Sequence, residues 1–274
     1  MRYLGLGALA LLALLITIRV NFDLQPRRTD VHLALEMQDR GPVLEGLRIA
    51  VIADIHLGEG KSEELRLDTL IIGVLEASPD LVVLLGDYIT HPSRIKNDGG
   101  HRDLVARALG KLAASSAPVF GVLGNYEVWD GLDSWSESLT DQGVVVLHND
   151  IASFSYKGLR VCIRGIGDAF TGADAPTVFG DDCENSPKIT VTHDPEAAFK
   201  YQIEGLVFAG HTHCGQVQLP IFGAVWAPSN SPREAWCGLY RSNGLTIWTS
   251  SGVGTSVLPI RFFAPASWDL VTIS

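Results

Sequence analysis

Three short apolar runs constrain this chain more than any other feature. Leu47–Ala53, Asp80–Leu85 and Pro118–Leu123 are dominated by Leu, Val and Ile, with almost no alternation of polar residues. Ser62–Ala77, Arg102–Ser115 and Leu132–Gln142 follow them with helical periodicity, and Pro79 and Pro118 close the first two. Strands without alternation are buried on both faces, and strands alternating with helices form a parallel sheet. The second half reads as richer in strand. Gly143–Leu147, Ser153–Tyr156 and Leu159–Gly165 surround a turn at Lys157-Gly158, and Lys188–Thr192, Leu206–Ala209, Gln216–Leu219, Leu245–Thr249 and Trp268–Ile273 follow. The expected fold class is α/β, a two-sheet β-sandwich flanked by helices. No repeat or second boundary is visible, so residues 46–274 read as one domain. Residues 21–45 read as a linker that enters the sheet near Val31–Leu35.

The first 20 residues read as a separate element. Arg2 precedes an apolar run from Tyr3 to Ile18, and Arg19 closes it. About 20 residues span a bilayer comfortably, so the run is short for a span. It also has the length of a signal-peptide core. Ile18-Arg19-Val20-Asn21 is a poor cleavage site, which favours an uncleaved anchor over a removed signal, with a buried core helix ranked last. The expectation is a membrane-associated protein with a single N-terminal anchor. Arg19, Arg27 and Arg28 favour a cytoplasmic domain, while the short run with a basic start favours export, so the side stays open.

A hydrophobic content of 46% over 274 residues supports a packed core, and a net charge of −10 leaves no basic footprint for nucleic acid. The four cysteines, Cys162, Cys183, Cys214 and Cys237, show no CxxC spacing and do not fix the compartment.

The chemistry sits in five segments: Asp54-Ile55-His56, Gly86-Asp87, Gly124-Asn125, Thr192-His193-Asp194 and Gly210-His211-Thr212-His213. Each follows an apolar strand. Asp54, Asp87 and Asn125 offer oxygens, and His56, His193, His211 and His213 offer imidazoles. That donor number suits two adjacent divalent cations, a recurring device for cleaving phosphate esters. Residues i and i+2 of an extended strand project to one side, so Asp54 with His56, and His211 with His213, are each expected to face one cation. Mixed oxygen and imidazole donors favour manganese, with zinc or iron as alternatives, over calcium or magnesium. Each segment alone is bland: a lone Asp-x-His is usually a surface turn. Their conjunction carries the reading.

The order Asp-x-His, Gly-Asp, Gly-Asn, His, Gly-His-x-His resembles the calcineurin-like metallophosphoesterase superfamily, over about residues 46–274. Residues 210–216 with Leu219-Pro220, and Ser251-Gly252-Val253-Gly254-Thr255-Ser256, are similar to its bacterial membrane-associated phosphodiesterase branch. That branch is related to the hydrolases of UDP-2,3-diacylglucosamine. The resemblance implies one metal on Asp54, His56, Asp87 and His213, and a second on Asp87, Asn125, His193 and His211. It implies a bridging hydroxide that attacks phosphorus, and a phosphodiester or pyrophosphate substrate, plausibly a lipid-linked envelope precursor. The alternatives are a phosphomonoesterase, or a metal-binding but catalytically weak binding module.

The chain departs from the family pattern beside Asn125. Tyr126 stands where an imidazole is common, and a phenol with a pKa near 10 is a weak acid at neutral pH. Asp87, Asn125, Tyr126 and His193 are the expected catalytic residues. Residues 220–240 form a Gly/Pro-rich stretch with several aromatics, readable as a substrate-facing lid or as a packed loop. Arg233 and Arg241 are readable as phosphate contacts or as surface ion pairs. Cys214 is readable as a packing residue or an oxidation-sensitive one.

Overall fold

The protein is described here by a computed structural model covering residues 25–35, 44–96 and 98–274. The expected anchor at residues 1–20 lies outside the described residues. Among the described residues, no helix is long and apolar enough to cross a membrane.

Two six-stranded sheets form the body. The first runs in the order β1 (Arg27–Leu33), β14 (Ser267–Ile273), β2 (Arg48–Ile52), β3 (Leu81–Leu84), β4 (Val119–Gly121), β5 (Val145–Val146). Strands β2 to β5 are parallel, as their unbroken apolar runs predict, and β14 lies antiparallel to β2. The second runs β12 (Gly238–Ser242), β13 (Leu245–Thr249), β9 (Gly205–Ala209), β8 (Lys188–Thr192), β7 (Leu159–Ile166), β6 (Asp150–Tyr156). Its four inner strands are parallel and its two edges antiparallel.

Side-chain alternation assigns each face. Ile49, Val51, Leu81, Val83 and Phe120 point toward the second sheet and meet Val161, Ile163, Ile189, Val191, Leu206 and Phe208. Ala50, Ile52, Val82 and Leu84 point the other way. They pack on Leu67, Leu70 and Val74 of α1 (Lys61–Ala77), Val105 and Leu109 of α2 (Asp98–Ala113), and Trp135 of α3 (Asn125–Thr140). The outer face of the second sheet is covered by Ala197 and Ala198 of the short α4 (Glu196–Lys200). Each fully buried aliphatic side chain contributes about 1.5–3 kcal/mol, so these layers hold the sandwich together.

Three elements differ from their sequence reading. Helix α3 begins at Asn125 rather than Leu132. Glu127 makes the difference: its carboxylate accepts the backbone N–H of Gly124 at 2.8 Å, satisfying a donor that the first turn leaves open. The expected strand Gln216–Leu219 shrinks to β10 (Gln218–Leu219), which pairs with β11 (Gly223–Ala224) in a separate hairpin. Left-handed backbone at His213, Cys214 and Gln216 breaks the strand before it starts. Strand β12 had no sequence signal.

The cysteines pair completely. A Cys162–Cys183 disulfide ties β7 to the segment before β8, and Cys214–Cys237 ties the residue after His213 to the loop before β12. Cys214 is buried, as the packing reading expects, and its disulfide leaves no free thiol to oxidise. Complementary partners 23 residues apart left no local motif for sequence reading to find.

Candidate metal centre

Every proposed metal-facing residue leaves the carboxyl end of a strand. Asp54 and His56 follow β2, Asp87 follows β3 and Asn125 follows β4, all in the first sheet. His193 follows β8, and His211 and His213 follow β9, in the second. The cleft thus lies where both sheets end, the usual ligand position in such folds. All seven residues are buried.

The turns that aim them are unusual. Asp54, His56, Asp87, His211 and His213 all have positive φ, between 45° and 65°. Left-handed backbone at a non-glycine residue costs on the order of 1–3 kcal/mol and persists where the surroundings over-determine it. Here Asp54 N–H donates to Gly86 O, His56 N–H to Asp87 O, and Leu57 N–H to Tyr88 O, so the two loops lace together. The extended i, i+2 geometry expected for these pairs is absent. Asp54 and His56 still face one cluster, but His211 and His213 separate into two. Gly86 and Gly124 let the loops touch: a Cβ on Gly86 would lie 2.4 Å from Gly124 N, and one on Gly124 would lie 2.4 Å from Asp87 Oδ1.

The first cluster is Asp54, His56 and His213. His56 Nε2 and His213 Nε2 are 3.0 Å apart and lie 3.9 Å and 3.7 Å from Asp54 Oδ1. The second is Asp87, His193 and His211. His193 Nε2 lies 3.5 Å from Asp87 Oδ1, 3.1 Å from His211 Nδ1 and 3.2 Å from Asn125 Oδ1. Asp87 joins the two, because its Oδ2 lies 3.5 Å from His56 Nε2.

The donor chemistry fits metal. His193 Nδ1–H donates to Leu85 O at 2.6 Å, and His211 Nε2–H donates to Pro228 O at 2.6 Å. Each ring then turns a lone pair inward, and the two lone pairs face each other at hydrogen-bond distance. A shared cation resolves that repulsion, and a carbonyl on the far nitrogen is the usual support of a metal-bound histidine. In the metal-free protein, protons do this work instead. Burial disfavours a charged His193, but Asp87 overrides it and holds the imidazole well above its usual range. Burial alone would raise Asp87, yet the His193 cation beside it brings the carboxyl to about 2. Burial pushes Asp54 up to about 7 and His56 down to about 4.

Two supporting residues escaped the sequence reading. Glu127 is fully buried and accepts the backbone N–H groups of Asp87 at 2.7 Å and Tyr88 at 2.8 Å as well as Gly124. It fixes the Asp87 loop to the start of α3. The Gly-x-x-Glu spacing of a capping box was the available signal. Burial, then the Asp87 charge, pushes its carboxyl to about 8. Arg261, also fully buried, donates to Gly252 O, Gly254 O and Ala264 O, and its guanidinium lies 2.9 Å from His213 Nδ1. It is the single charged residue between 250 and 266, which marked it in the sequence.

Tyr126 lines the cleft wall. Its N–H donates to Asp87 Oδ1 at 2.9 Å, its ring meets His56 edge-on at 4.8 Å, and its hydroxyl lies 3.0 Å from Ser256 Oγ. Burial raises its pKa further, with the Ser256 bond opposing, so the phenol keeps its proton. His91 meets the Tyr126 ring edge-on at 5.4 Å. Arg233 and Arg241 donate to the backbone carbonyls of Phe222 and Ala34. They brace loops and lie outside the metal clusters.

A cavity of about 590 Å³ opens over the centre. Asp87, Asn125, His211 and His213 form its floor, and Trp129, Phe170, Val225, Trp226, Val257 and Leu258 its walls.

The chain matches the model of the calcineurin-like phosphoesterase family over residues 47–215. It is 28% identical over 235 residues to the uncharacterized metallophosphoesterase YkuE of Bacillus subtilis, covering 84% of this chain and 79% of YkuE. It is 28% identical over 213 residues to phosphodiesterase YaeI of Escherichia coli, covering 76% and 75%. It is 29% identical over 265 residues to a transmembrane protein with a metallophosphoesterase domain from Danio rerio, covering 88% of this chain and 56% of that protein.

Proposed function

The chain belongs to the calcineurin-like phosphoesterase family and is a hydrolase of phosphoric esters, and we propose that it is a dinuclear enzyme cleaving a phosphodiester or pyrophosphate bond in an amphiphilic, lipid-linked substrate. The observation that carries the dinuclear reading is Asp87, whose two oxygens reach the two clusters at 3.5 Å each. Asp54, His56, Asp87 and His213 would hold one cation; Asp87, Asn125, His193 and His211 would hold the other, with manganese the first choice and zinc or iron next. Two such cations supply an acidified water as nucleophile and offset charge on the phosphoryl oxygens.

The chain's own residues set the rest. Asp87 fixes the spacing of the clusters, and Glu127 fixes Asp87. Asn125 contributes a neutral oxygen, which limits the negative charge facing an anionic substrate. Tyr126 presents a hydroxyl to the cleft beside Ser256 and keeps its proton, which suits leaving groups that depart as stable anions, such as a phosphate in a pyrophosphate. The apolar cleft walls support a substrate with a hydrocarbon portion, the class to which a diacylated sugar nucleotide belongs.

Purified protein depleted of metal and reloaded with manganese should hydrolyse bis-p-nitrophenyl phosphate, bind two metals per chain, and lose turnover in Asp87→Ala and His211→Ala. Two metals bound with no turnover of any ester would instead support the binding-module reading, which Tyr126 favours. We read residues 46–274 as the catalytic domain and the first 20 as its membrane tether. Two disulfides and no free cysteine among the described residues support placement on the oxidising side of that membrane.

A further inference from the structure

The mouth of the metal cleft is ringed by exposed apolar side chains. The β10–β11 hairpin carries Ile221 and Phe222 at its tip, 101% and 72% exposed. Val225 and Trp226 follow on the descending side, and Val257 and Leu258 come from the opposite loop; all four are exposed. Gln216 joins the two loops, donating to Leu258 O at 2.8 Å and accepting the Ser256 N–H at 2.9 Å. The bridge Val217–Phe262 extends that join, so the collar is one surface.

Three features set this collar apart from scattered surface residues. Ile221 has a φ of 74°, a left-handed position that a β-branched residue rarely takes. The strain is spent on presenting a wholly exposed side chain, and the Arg233 guanidinium holds the tip by its Phe222 carbonyl. Residues 210–232 contain no Asp, Glu, Lys or Arg, in a chain where such residues are 19% of the total. The collar is also continuous with the cleft. Val225, Trp226, Val257 and Leu258 line the same cavity as Asp87, Asn125, His211 and His213.

Whatever covers the collar must deliver an ester to the cleft. A second copy of this chain seated there would close the mouth. A water-borne ester would leave the apolar tips uncovered. We propose that the collar docks on a lipid bilayer, with Ile221, Phe222 and Trp226 in the interfacial region, so that substrate enters the cleft from the membrane. Trp and Phe beside aliphatic tips fit the headgroup boundary, and the one basic residue at the tip, Arg233, is engaged by the Phe222 carbonyl, which makes the attachment chiefly hydrophobic rather than electrostatic. The inference rests on the phosphohydrolase reading only for the identity of what enters.

Its test needs no turnover, so it stands or falls separately from that reading. The full chain is reconstituted in vesicles of brominated phosphatidylcholine, and tryptophan emission is compared with that in unbrominated vesicles. The expected membrane tether contains no Trp, so emission reports only on the rest of the chain. Emission is expected to be quenched, and Trp226→Phe is expected to remove most of the quenching. Ile221→Glu with Phe222→Glu should remove it too, at an unchanged melting temperature. Quenching should persist at molar salt, where charges are screened within about 3 Å. Absence of quenching, equal quenching in Trp226→Phe, or quenching confined to anionic lipid at low salt would each overturn the proposal. Concentration-dependent association of unquenched protein would assign the collar to a second copy.

Discussion

The two metal clusters share Asp87 but are built differently behind their donor atoms. In the second, both histidines are tied: His193 to Leu85 O and His211 to Pro228 O. In the first, His56 Nδ1 has no partner, and His213 Nδ1 faces the guanidinium of Arg261. A carbonyl on the far nitrogen fixes the tautomer and makes the ring more basic, whereas a cation there withdraws electron density. The second cluster is therefore organised before a metal arrives, and the first depends on the metal for its order. The cations should differ in affinity, with the second cluster the tighter.

Asp87→Ala tests the shared element and should have the largest effect. Both clusters lose a donor, so turnover should fall by about a thousandfold or more and metal content should drop below one per chain, by elemental analysis. Next come the histidines taken separately. His56→Ala should leave one tightly held metal per chain. His193→Ala should leave a chain that loses both metals on dialysis against a mild chelator. Equal retention in the two variants would remove the asymmetry.

Acidity sharpens the comparison between the clusters. Asp54 and Glu127, with carboxyls raised to about 7 and about 8 by burial, hold protons in the metal-free folded chain that the unfolded chain has released. The folded state then binds more protons than the unfolded one, so its stability falls as pH rises. His56, lowered to about 4 by burial, acts in the opposite sense, but only below its unfolded value near 6.5. Between pH 6.5 and 8, metal-free protein should melt at progressively lower temperature. Metal affinity should rise with pH in both clusters, because metal displaces the Asp54 proton in the first and the His193 proton in the second. Titration calorimetry at several pH values checks both directions.

Arg261→Met should lower stability by about 2–4 kcal/mol in denaturant titrations, because several buried carbonyls lose a charged donor. Arg261→Lys should fall between it and the parent. Tyr126→Phe should have the smallest effect, less than tenfold on an alkyl phosphodiester and none on a p-nitrophenyl ester, whose leaving group needs no hydrogen bond.

Much of this arrangement was legible in the sequence. The unbroken runs of β2 and β3 announced a doubly covered parallel sheet, and the residues ending them announced the cleft. The aim of those residues was not legible. Left-handed backbone at Asp54, His56, Asp87, His211 and His213 depends on bonds between loops far apart in the chain, and no local propensity encodes it. The start of α3 was missed because Asn125 and Tyr126 carry no helical periodicity; a single carboxylate, Glu127, sets it. Arg261 was visible as an isolated charge, but its contact with His213, 48 residues away, was not.

Each cluster draws on both sheets. Asp54 and His56 come from the first sheet and His213 from the second; Asp87 comes from the first, and His193 and His211 from the second. Cations held there would rivet one end of the sandwich shut. Parting the sheets would require losing them, so the unfolding barrier would rise along with the equilibrium stability, and metal supply would set the lifetime of the folded chain. Protease resistance measured against time would then report metal occupancy in samples whose activity is never assayed.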